Sequence, residues 1–319
     1  MRPLVVGTRG SVLALIQTRK IVGALQRLFP DQEFEIQTVK TLGDRVVDVP
    51  LSQFGSTGVF VKEIDRLLLD GAIDLAVHSL KDVPPDETPG VALTAFPERA
   101  DPRDALVSRV GQSFEGLPPE ARVGTSSVRR QAQLRAVRPN LTYCDDLRGN
   151  VDTRLRKLAE GQYDAIILAV AGLERLGRAA EISERLPTEL CLPDAGQGIL
   201  AVATRADDAE TVAIVSRLDD PTVRATAIAE RAMLRSFGGG CKVPVAAYAR
   251  VVELADDAAW KAALPVLHLT GLVASVDGTR LIRAEASASL TESDKLGALV
   301  WQKLVDDGAL AILQETTHG

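Results

Sequence analysis

The chain has 319 residues, of which 46% are hydrophobic and 25% are charged, and its formal net charge is −6. This composition is typical of a globular protein of two or three domains, and the acidic balance disfavours a general nucleic-acid binder. Three scattered cysteines and three histidines disfavour a disulfide framework and a metal site, and no apolar run is long enough to span a membrane. The first residues also lack the apolar core of a signal peptide, so we expect a cytoplasmic protein.

The chain begins with the pattern of a strand, a glycine turn and a helix. Residues 3–6 are an apolar run, residues 7–11 are Gly-Thr-Arg-Gly-Ser, and residues 12–28 repeat apolar side chains at helical spacing. Such a turn offers free backbone N–H groups and the positive end of a helix dipole to an anion, and Arg9 and Ser11 would add donors. A plain strand-to-helix turn without a ligand is the alternative.

The same pattern returns later in the chain. A strand at 122–123, a glycine turn at 124–127 with Thr125 and Ser127, and a helix at 128–136 follow one another. Extended runs follow both helices, at 33–39 and 141–144, and both units later show Gly, then Asp three residues on, then a buried strand. Alternating strands and helices predict two related α/β units with parallel sheets, and ligands bind in the cleft between such units.

Polar side chains gather where the first of these buried strands ends. Residues 75–77 are followed by His-Ser-Leu-Lys-Asp-Val-Pro-Pro, which places Ser79, Lys81 and Asp82 at the carboxyl end of a strand. Chemistry in α/β proteins is concentrated at this edge, where a carboxylate can stabilise a developing cation or move a proton. A surface ion pair between Lys81 and Asp82 is the alternative. The glycine-rich residues 42–58 predict a mobile loop over the cleft.

A strongly basic segment crosses the second unit. Between residues 122 and 157, nine positive side chains face three negative ones, an excess of six in an acidic protein. Arg129, Arg130, Arg148 and Arg154 lie beside the glycine turn or around Gly149-Asn150, and arginine forks match carboxylates and phosphates. The pattern predicts a ligand with several anionic groups. RNA is the competing ligand, but the segment has one aromatic residue, and stacking needs more.

The last part of the chain predicts a small α+β domain. Residues 97–102 and 192–202 are predicted to cross between the first two units, with residues 169–177 ending a strand and starting a turn. A helix from Pro221 to about Arg235 then leads to the glycine loop 238–244, which carries Cys241. Lys242 would lower the pKa of that thiol, although a buried, unreactive cysteine is the alternative. Three strands near 245–252, 266–275 and 279–287 and a helix near 291–307 complete the domain.

Eight segments in the same order resemble the porphobilinogen deaminase (hydroxymethylbilane synthase) family over essentially the whole chain. They are residues 7–11, 77–84, 101–105, 124–130, 147–151, 153–155, 168–173 and 239–244. The resemblance implies two periplasmic-binding-protein-like α/β domains around a cleft and a small C-terminal α+β domain. It divides the chain into domain 1 (1–98 and 199–217), domain 2 (99–198) and domain 3 (218–319).

The resemblance also implies the chemistry. It implies a transferase of haem and chlorophyll biosynthesis that adds four porphobilinogen units to a dipyrromethane cofactor, losing ammonia each time, before hydrolysis releases hydroxymethylbilane. It places a thioether to the cofactor at Cys241 and the catalytic carboxylate at Asp82, with no metal. Cofactor and substrate carboxylates would be bound by Arg9, Ser11, Ser79, Lys81, Thr125, Ser127, Arg129, Arg130, Arg148, Arg154 and Arg175.

Some residues depart from the usual family pattern. Thr57 stands where many members carry a lysine, which puts a basic contact from that loop in doubt, and Leu42 and Asp152 also differ. Cys144 and Cys191 match no functional position and are interpreted as structural. The resemblance suggests a monomer without a nucleic-acid or membrane partner. The competing hypotheses are a non-catalytic binding protein for a polyanion and an RNA-binding regulator.

Overall fold

The computed structural model describes residues 2–39, 59–238, 243–253 and 265–317, and the strands within these ranges form three sheets. In chain order the strands are β1 (Leu4–Arg9), β2 (Phe34–Val39), β3 (Leu75–Ser79), β4 (Val91–Ala95), β5 (Asp104–Ser108), β6 (Arg122–Gly124), β7 (Thr142–Cys144), β8 (Ala165–Ala169), β9 (Glu184–Arg185), β10 (Leu200–Arg205), β11 (Val245–Glu253), β12 (Pro265–Ala274) and β13 (Leu281–Ser289). The helices are α1 (Val12–Leu28), α2 (Val59–Leu69), α3 (Val128–Val137), α4 (Val151–Ala159), α5 (Val170–Arg175), α6 (Ala209–Val215), α7 (Pro221–Phe237), α8 (Ser293–Asp306) and α9 (Ala309–Thr317).

Two of the sheets have matching strand orders. In the described residues the first is β2-β1-β3-β10-β4 and the second is β7-β6-β8-β5-β9. The first three strands of each sheet are parallel, which confirms the mixed α/β class and the two related units. The prediction of wholly parallel sheets is wrong, because β10 and β5 run antiparallel to their neighbours β3 and β8. Each of these strands follows a crossing between the units, so the chain runs through the sheet in the opposite direction there.

The repeat extends to individual contacts. Asp74 and Asp164 each accept a hydrogen bond, of 2.8 Å in both cases, from the backbone N–H of Val5 and Arg122 on the neighbouring parallel strand. A Cβ atom on Gly7 would lie 2.3 Å from Ile73, so this strand position needs glycine for the close approach. The Gly-to-Asp pattern read from the sequence therefore marks a structural joint that occurs in both units.

The helices pack on the sheets through the stripes that their sequences predict. On α1, Ile21 and Leu25 are buried against Val6 and Leu75 of the first sheet. Burying an aliphatic side chain of this size contributes about 1.5–3 kcal/mol. The predicted helix bounds agree with α1, and the second predicted helix agrees with α3 to within a residue.

The C-terminal unit is a three-stranded antiparallel sheet, β11-β12-β13, covered by α7 and α8. Met233, Leu269 and Val300 lie in its core. Gly297 lets the two helices approach closely, because a Cβ there would lie 2.5 Å from the carbonyl oxygen of Ala229. The predicted strands and α8 are confirmed to within two residues, whereas the turn predicted after Ala169 is the short helix α5.

A buried carboxylate joins this unit to the crossing segments. Glu230 of α7 is fully buried and accepts hydrogen bonds from Arg99 (2.6 Å), the backbone N–H of Gly196 (2.6 Å) and that of Ala249 (2.7 Å). Arg99 also pairs with Ile199 through an isolated antiparallel bridge between the two crossings. Because the helix that leads to the glycine loop is anchored here, the crossings and the C-terminal unit are held together at one point.

Candidate functional site

The polar segment after β3 forms a single 3-10 turn, Leu80–Asp82, at the carboxyl end of the strand. Leu80 anchors the turn, since its side chain is buried and its backbone N–H donates to Ile199 at 3.0 Å. Ser79, at the strand end, accepts a hydrogen bond of 3.0 Å from Gln17 on α1. Lys81 is half-buried and Asp82 is exposed. The anchored backbone of the turn fixes the positions from which both charged side chains extend.

The Asp82 side chain is exposed to solvent, although many protein atoms surround its carboxyl group. Desolvation by this surrounding protein raises its pKa, while the charges of Lys81 and Arg9 oppose the shift and Asp194 adds to it. A carboxyl with a raised pKa holds a proton more readily than an ordinary surface carboxyl does. Asp82 is therefore suited both to proton transfer and to pairing with a cation.

Lys81 has an uncharged hydrogen-bond partner. Its ammonium donates to Oε1 of Gln197 at 3.2 Å. Desolvation lowers the pKa of Lys81, and the charge of Arg130 lowers it further, while Asp82, Asp194 and Asp104 act in the opposite direction. These couplings place the turn of the first unit within electrostatic range of the basic segment of the second.

The first glycine turn is shorter than the sequence predicts, because β1 continues to Arg9 and α1 begins at Val12. Ser11 is the N-cap of α1 and accepts from the backbone N–H of Ala14 at 3.2 Å. Arg9 is half-buried at the end of β1, close enough for its charge to act on Asp82 and His78. His78 is buried, its Nε2 has no hydrogen-bond partner, and desolvation lowers its pKa to about 4, so it is neutral at physiological pH.

The second turn also ends in a serine that caps a helix, and it carries a buried threonine as well. Ser127 is the N-cap of α3 and accepts from the backbone N–H of Arg130 at 3.4 Å. Thr125 is fully buried, and its hydroxyl accepts from the backbone N–H of Ser127 at 3.3 Å. Both glycine turns therefore shape a helix N-terminus, which favours an anion in each case.

Arg129 and Arg130 are buried against a carboxylate that the sequence analysis assigned no role. Asp104 on β5 accepts from Arg129 Nη1 at 2.8 Å, and from Arg130 Nη2 at 2.6 Å and Nε at 2.9 Å. The side chains are 5%, 8% and 0% exposed for Arg129, Arg130 and Asp104. Despite its desolvation, the two guanidinium groups hold the pKa of Asp104 well below its usual range. The cluster keeps a net charge of +1.

Cys191 completes this cluster. Its thiol lies 3.4 Å from Asp104 Oδ2, and desolvation together with that carboxylate raises its pKa to about 12. A thiol with such a pKa is an inert buried group at neutral pH. This agrees with its interpretation as structural. Cys144 is half-buried at the end of β7, and desolvation raises its pKa as well.

Arg148, Arg154 and Arg175 form no ion pair with a buried carboxylate of the kind that Arg129 and Arg130 form with Asp104. Arg154 donates to the carbonyl oxygen of Gly149 at 2.9 Å, and within the described residues Arg148 and Arg154 pair with no carboxylate. Desolvation lowers the pKa of Arg154 to about 10, and Arg130 and Arg148 contribute to this shift. Arg175 donates to Gly198 at 2.7 Å, yet its buried Nε has no partner.

Several predicted site features lie outside the described residues. These are Cys241, the neighbouring Lys242, and the loop that carries Leu42 and Thr57. Asp104 and Gln197, to which the sequence assigned no role, connect the predicted residues. The signals that could have found them are a charged residue opening a buried strand and a glutamine between two glycines.

A turn with Lys81 and Asp82 on the first unit, within electrostatic range of the arginine-rich second unit, is suited to a small ligand that carries several anionic groups. The comparisons with known proteins narrow this class. A family model described as porphobilinogen deaminase, dipyromethane cofactor binding domain, matches residues 4–213, and one described as the porphobilinogen deaminase C-terminal domain matches residues 224–306.

Relatives cover almost the entire chain. Porphobilinogen deaminase of Roseiflexus castenholzii is 48% identical over 97% of this chain and 98% of its own length. That of Geobacter metallireducens is 46% identical over 98% of this chain and 95% of its own. That of Brevibacillus brevis is 46% identical over 97% and 96%. The chain belongs to the porphobilinogen deaminase family.

Solved structures that resemble this chain include binding proteins. The periplasmic molybdate-binding protein of Azotobacter vinelandii is 14% identical with a TM-score of 0.36, covering 71% of this chain and 97% of that one. A substrate-binding domain of an amino acid ABC transporter from Streptococcus pneumoniae is 13% identical with a TM-score of 0.43, covering 74% and 95%. Such scores are too low to carry a conclusion about function. Among the described helices, none has the length and apolarity to cross a bilayer.

Proposed function

We propose that this chain is a transferase that condenses four porphobilinogen units, one at a time, on a dipyrromethane cofactor linked to Cys241. Each condensation releases ammonia, and hydrolysis then releases hydroxymethylbilane. Family membership supports the reaction. The structural observation that carries it is the position of Asp82, which lies on an anchored turn within electrostatic range of Lys81 and Arg9. Arg130 of the second unit acts on Lys81 in the same turn.

Asp82 is the proposed catalytic carboxylate. Loss of ammonia from porphobilinogen leaves a cation on the substrate, and a carboxylate at this point stabilises it by charge. The raised pKa of Asp82 also suits it to accept the proton that leaves the attacked pyrrole carbon. The charges of Lys81 and Arg9 favour the ionised carboxylate and so oppose the effect of desolvation on the pKa of Asp82.

The residues present fit a cofactor that carries carboxylates. Arg175 has a buried Nε without a partner, and desolvation together with the like charges of Arg130 and Arg148 lowers the pKa of Arg154. Both conditions are relieved by a bound anion. The dipyrromethane, when bound, supplies the pyrrole ring to which the first substrate unit is added.

A larger set of donors is proposed to bind the acetate and propionate groups of cofactor and substrate. Arg148 and Arg154 offer guanidinium groups that pair with no carboxylate among the described residues, and Arg175 has only Glu98 at 3.8 Å. Arg129 and Arg130 act through the net positive charge that remains beside Asp104. The glycine turns add helix N-termini. The remaining proposed donors are Arg9, Ser11, Ser79, Lys81, Thr125 and Ser127.

The domain division proposed for the chain follows the crossings. Domain 1 comprises residues 1–98 and 199–217, domain 2 residues 99–198, and domain 3 residues 218–319. The two five-stranded sheets and the three-stranded sheet support this division. We also propose a cytoplasmic monomer that needs neither nucleic acid nor a membrane.

The proposal is tested by Asp82→Asn in the purified protein with its cofactor bound. The turnover number with porphobilinogen is expected to fall by at least about 100-fold, because a positioned carboxylate supplies about 10²–10⁴ in rate. Asp86→Asn is the control, since Asp86 is an exposed carboxylate of the same loop and should leave turnover unchanged. Wild-type turnover in Asp82→Asn, with the cofactor still present, would refute the role.

A further inference from the structure

Gln197 connects the turn of the first unit to the buried cluster of the second. Its Oε1 accepts from Lys81 at 3.2 Å, while its Nε2 donates to Asp104 Oδ1 at 2.9 Å and to the carbonyl oxygen of Pro102 at 2.8 Å. The side chain is fully buried. One amide therefore uses its acceptor toward Lys81 and both donors toward the other unit, leaving no N–H unused.

The backbone at this point is fixed by two glycines. Gly196 and Gly198 adopt φ angles of 74° and 88°, in the left-handed region that favours glycine. A Cβ on Gly198 would lie 2.4 Å from the carbonyl oxygen of Ala100, and one on Gly196 would lie 2.8 Å from Leu80. Gln197 thus stands in a rigid position, packed between the Leu80–Asp82 turn and the first crossing.

The choice of an amide rather than a carboxylate has an electrostatic consequence. Within the described ranges Lys81 forms no ion pair, although Asp82, Asp104 and Asp194 act on it from a greater distance. A neutral acceptor fixes the ammonium group while leaving its charge uncompensated. A carboxylate at this position would instead neutralise Lys81 and would face Asp104, with like charges in a buried site.

We propose that Gln197 is a positioning residue that holds the charged Lys81 ready for a substrate carboxylate beside Asp82. This inference rests on the proposed function, since it assigns Lys81 to substrate binding. In substrate turnover Gln197 acts through Lys81, so the loss of kcat/KM in a Gln197 variant should appear only while Lys81 is present. The hydrogen bonds of Gln197 to Asp104 and Pro102 contribute to stability instead. The proposal therefore predicts strong coupling between the two residues.

The test is a double-mutant cycle of Gln197→Met, Lys81→Met and the double variant, all assayed with cofactor bound. Gln197→Met should lower kcat/KM for porphobilinogen about 10- to 100-fold, the range for losing a hydrogen bond to a charged group. Lys81→Met should cost at least as much, and the double variant should lie within about 2-fold of Lys81→Met. Additive losses, or normal activity in Gln197→Met, would overturn the proposal.

Gln133→Met is the matched control. Gln133 is also buried, and it exchanges hydrogen bonds of 2.8 and 3.1 Å with the backbone of Leu192 on the same crossing without contacting Lys81. It should lose stability comparably but show no coupling to Lys81→Met. Should Gln197→Met fail to fold, Gln197→Asn retains the amide but is too short to span both partners, and the same cycle applies.

The pH profile separates positioning from a general structural defect. Removing an acceptor that favours the charged amine lowers the pKa of Lys81 further, so the basic limb of kcat/KM should move to lower pH in Gln197→Met. The facing groups Asp82, Asp104, Asp194 and Arg130 are unchanged in this variant. An unmoved limb contradicts the proposal. Failure of the wild type to convert porphobilinogen would instead refute the proposed function itself.

Discussion

Two pairs of arginines in the second α/β unit differ in what neutralises them. Arg129 and Arg130, at the start of α3, share the buried carboxylate of Asp104. Arg148 and Arg154, around the start of α4, pair with no carboxylate among the described residues. Desolvation, aided by like charges, lowers the pKa of Arg154 to about 10. The first pair is compensated within the fold, and the second pair is the one that we propose a bound anion compensates.

Within one basic segment, this difference separates arginines that stabilise the fold from arginines that are proposed to bind the ligand. A buried guanidinium group without its carboxylate is costly, so the first pair should matter most for stability. A partly exposed guanidinium group without a carboxylate costs little to remove, so the second pair should matter most for ligand binding. Substitutions in the two pairs should consequently separate stability from turnover.

The largest expected effect is that of Asp104→Asn. It leaves two buried guanidinium groups without their carboxylate, and breaking a buried pair in this way costs about 3–5 kcal/mol. Urea unfolding measures the loss. Asp101→Asn is the control, since Asp101 pairs with the partly exposed Arg103 and should cost about 1 kcal/mol or less. Equal losses in the two variants would remove the distinction between the arginine pairs.

Arg148→Ala and Arg154→Ala should show the opposite pattern. Each should lower kcat/KM about 10- to 100-fold, as expected for losing a charged hydrogen bond to a carboxylate, with an unfolding free energy close to that of the wild type. Arg156→Ala is the control, because Arg156 is exposed on the same helix and pairs with Glu160. A stability loss as large as that of Asp104→Asn would contradict the comparison.

The same variants should stall at particular chain lengths. In the proposed mechanism each added ring shifts the growing chain relative to the arginines, so one arginine serves some condensations more than others. Quantifying the trapped enzyme intermediates by mass in each Arg→Ala variant tests this. A uniform slowing of every step would count against a separate role for each arginine.

The smallest effect concerns acid stability. The pKa of Asp104 is lowered in the folded state, so its contribution is fully present above the ordinary carboxyl pKa of about 4 and is lost as pH falls below it. One proton is involved, which corresponds to at most about 1.4 kcal/mol per pH unit. Urea unfolding between about pH 5 and pH 3 should show a steeper decline for the wild type than for Asp104→Asn. Parallel curves would show that the lowered pKa does not contribute.

Local features of the fold could be predicted from the sequence. The bounds of α1 and the Gly-to-Asp joint at Asp74 and Asp164 follow from side-chain spacing and turn chemistry within a few residues. The α/β class and the repeat followed from those patterns. Periodicity carries this information because it reports which face of an element is buried.

Long-range features could not be predicted. Asp104 contacts Arg129 and Arg130 across 25 and 26 residues, and Gln197 reaches it across 93. No local pattern specifies such partners. The antiparallel placement of β5 and β10 likewise depends on where the crossings return, and the sequence near each strand does not contain that information.

The measurement that tests the central claim most directly is the intact mass of the purified wild type and of Cys241→Ser. The account predicts that the wild type carries an added mass of two linked pyrrole units and that the variant does not. A wild type with only the polypeptide mass should gain that mass on incubation with porphobilinogen. If it gains nothing, or if Cys241→Ser carries the same adduct, the covalently primed mechanism is contradicted.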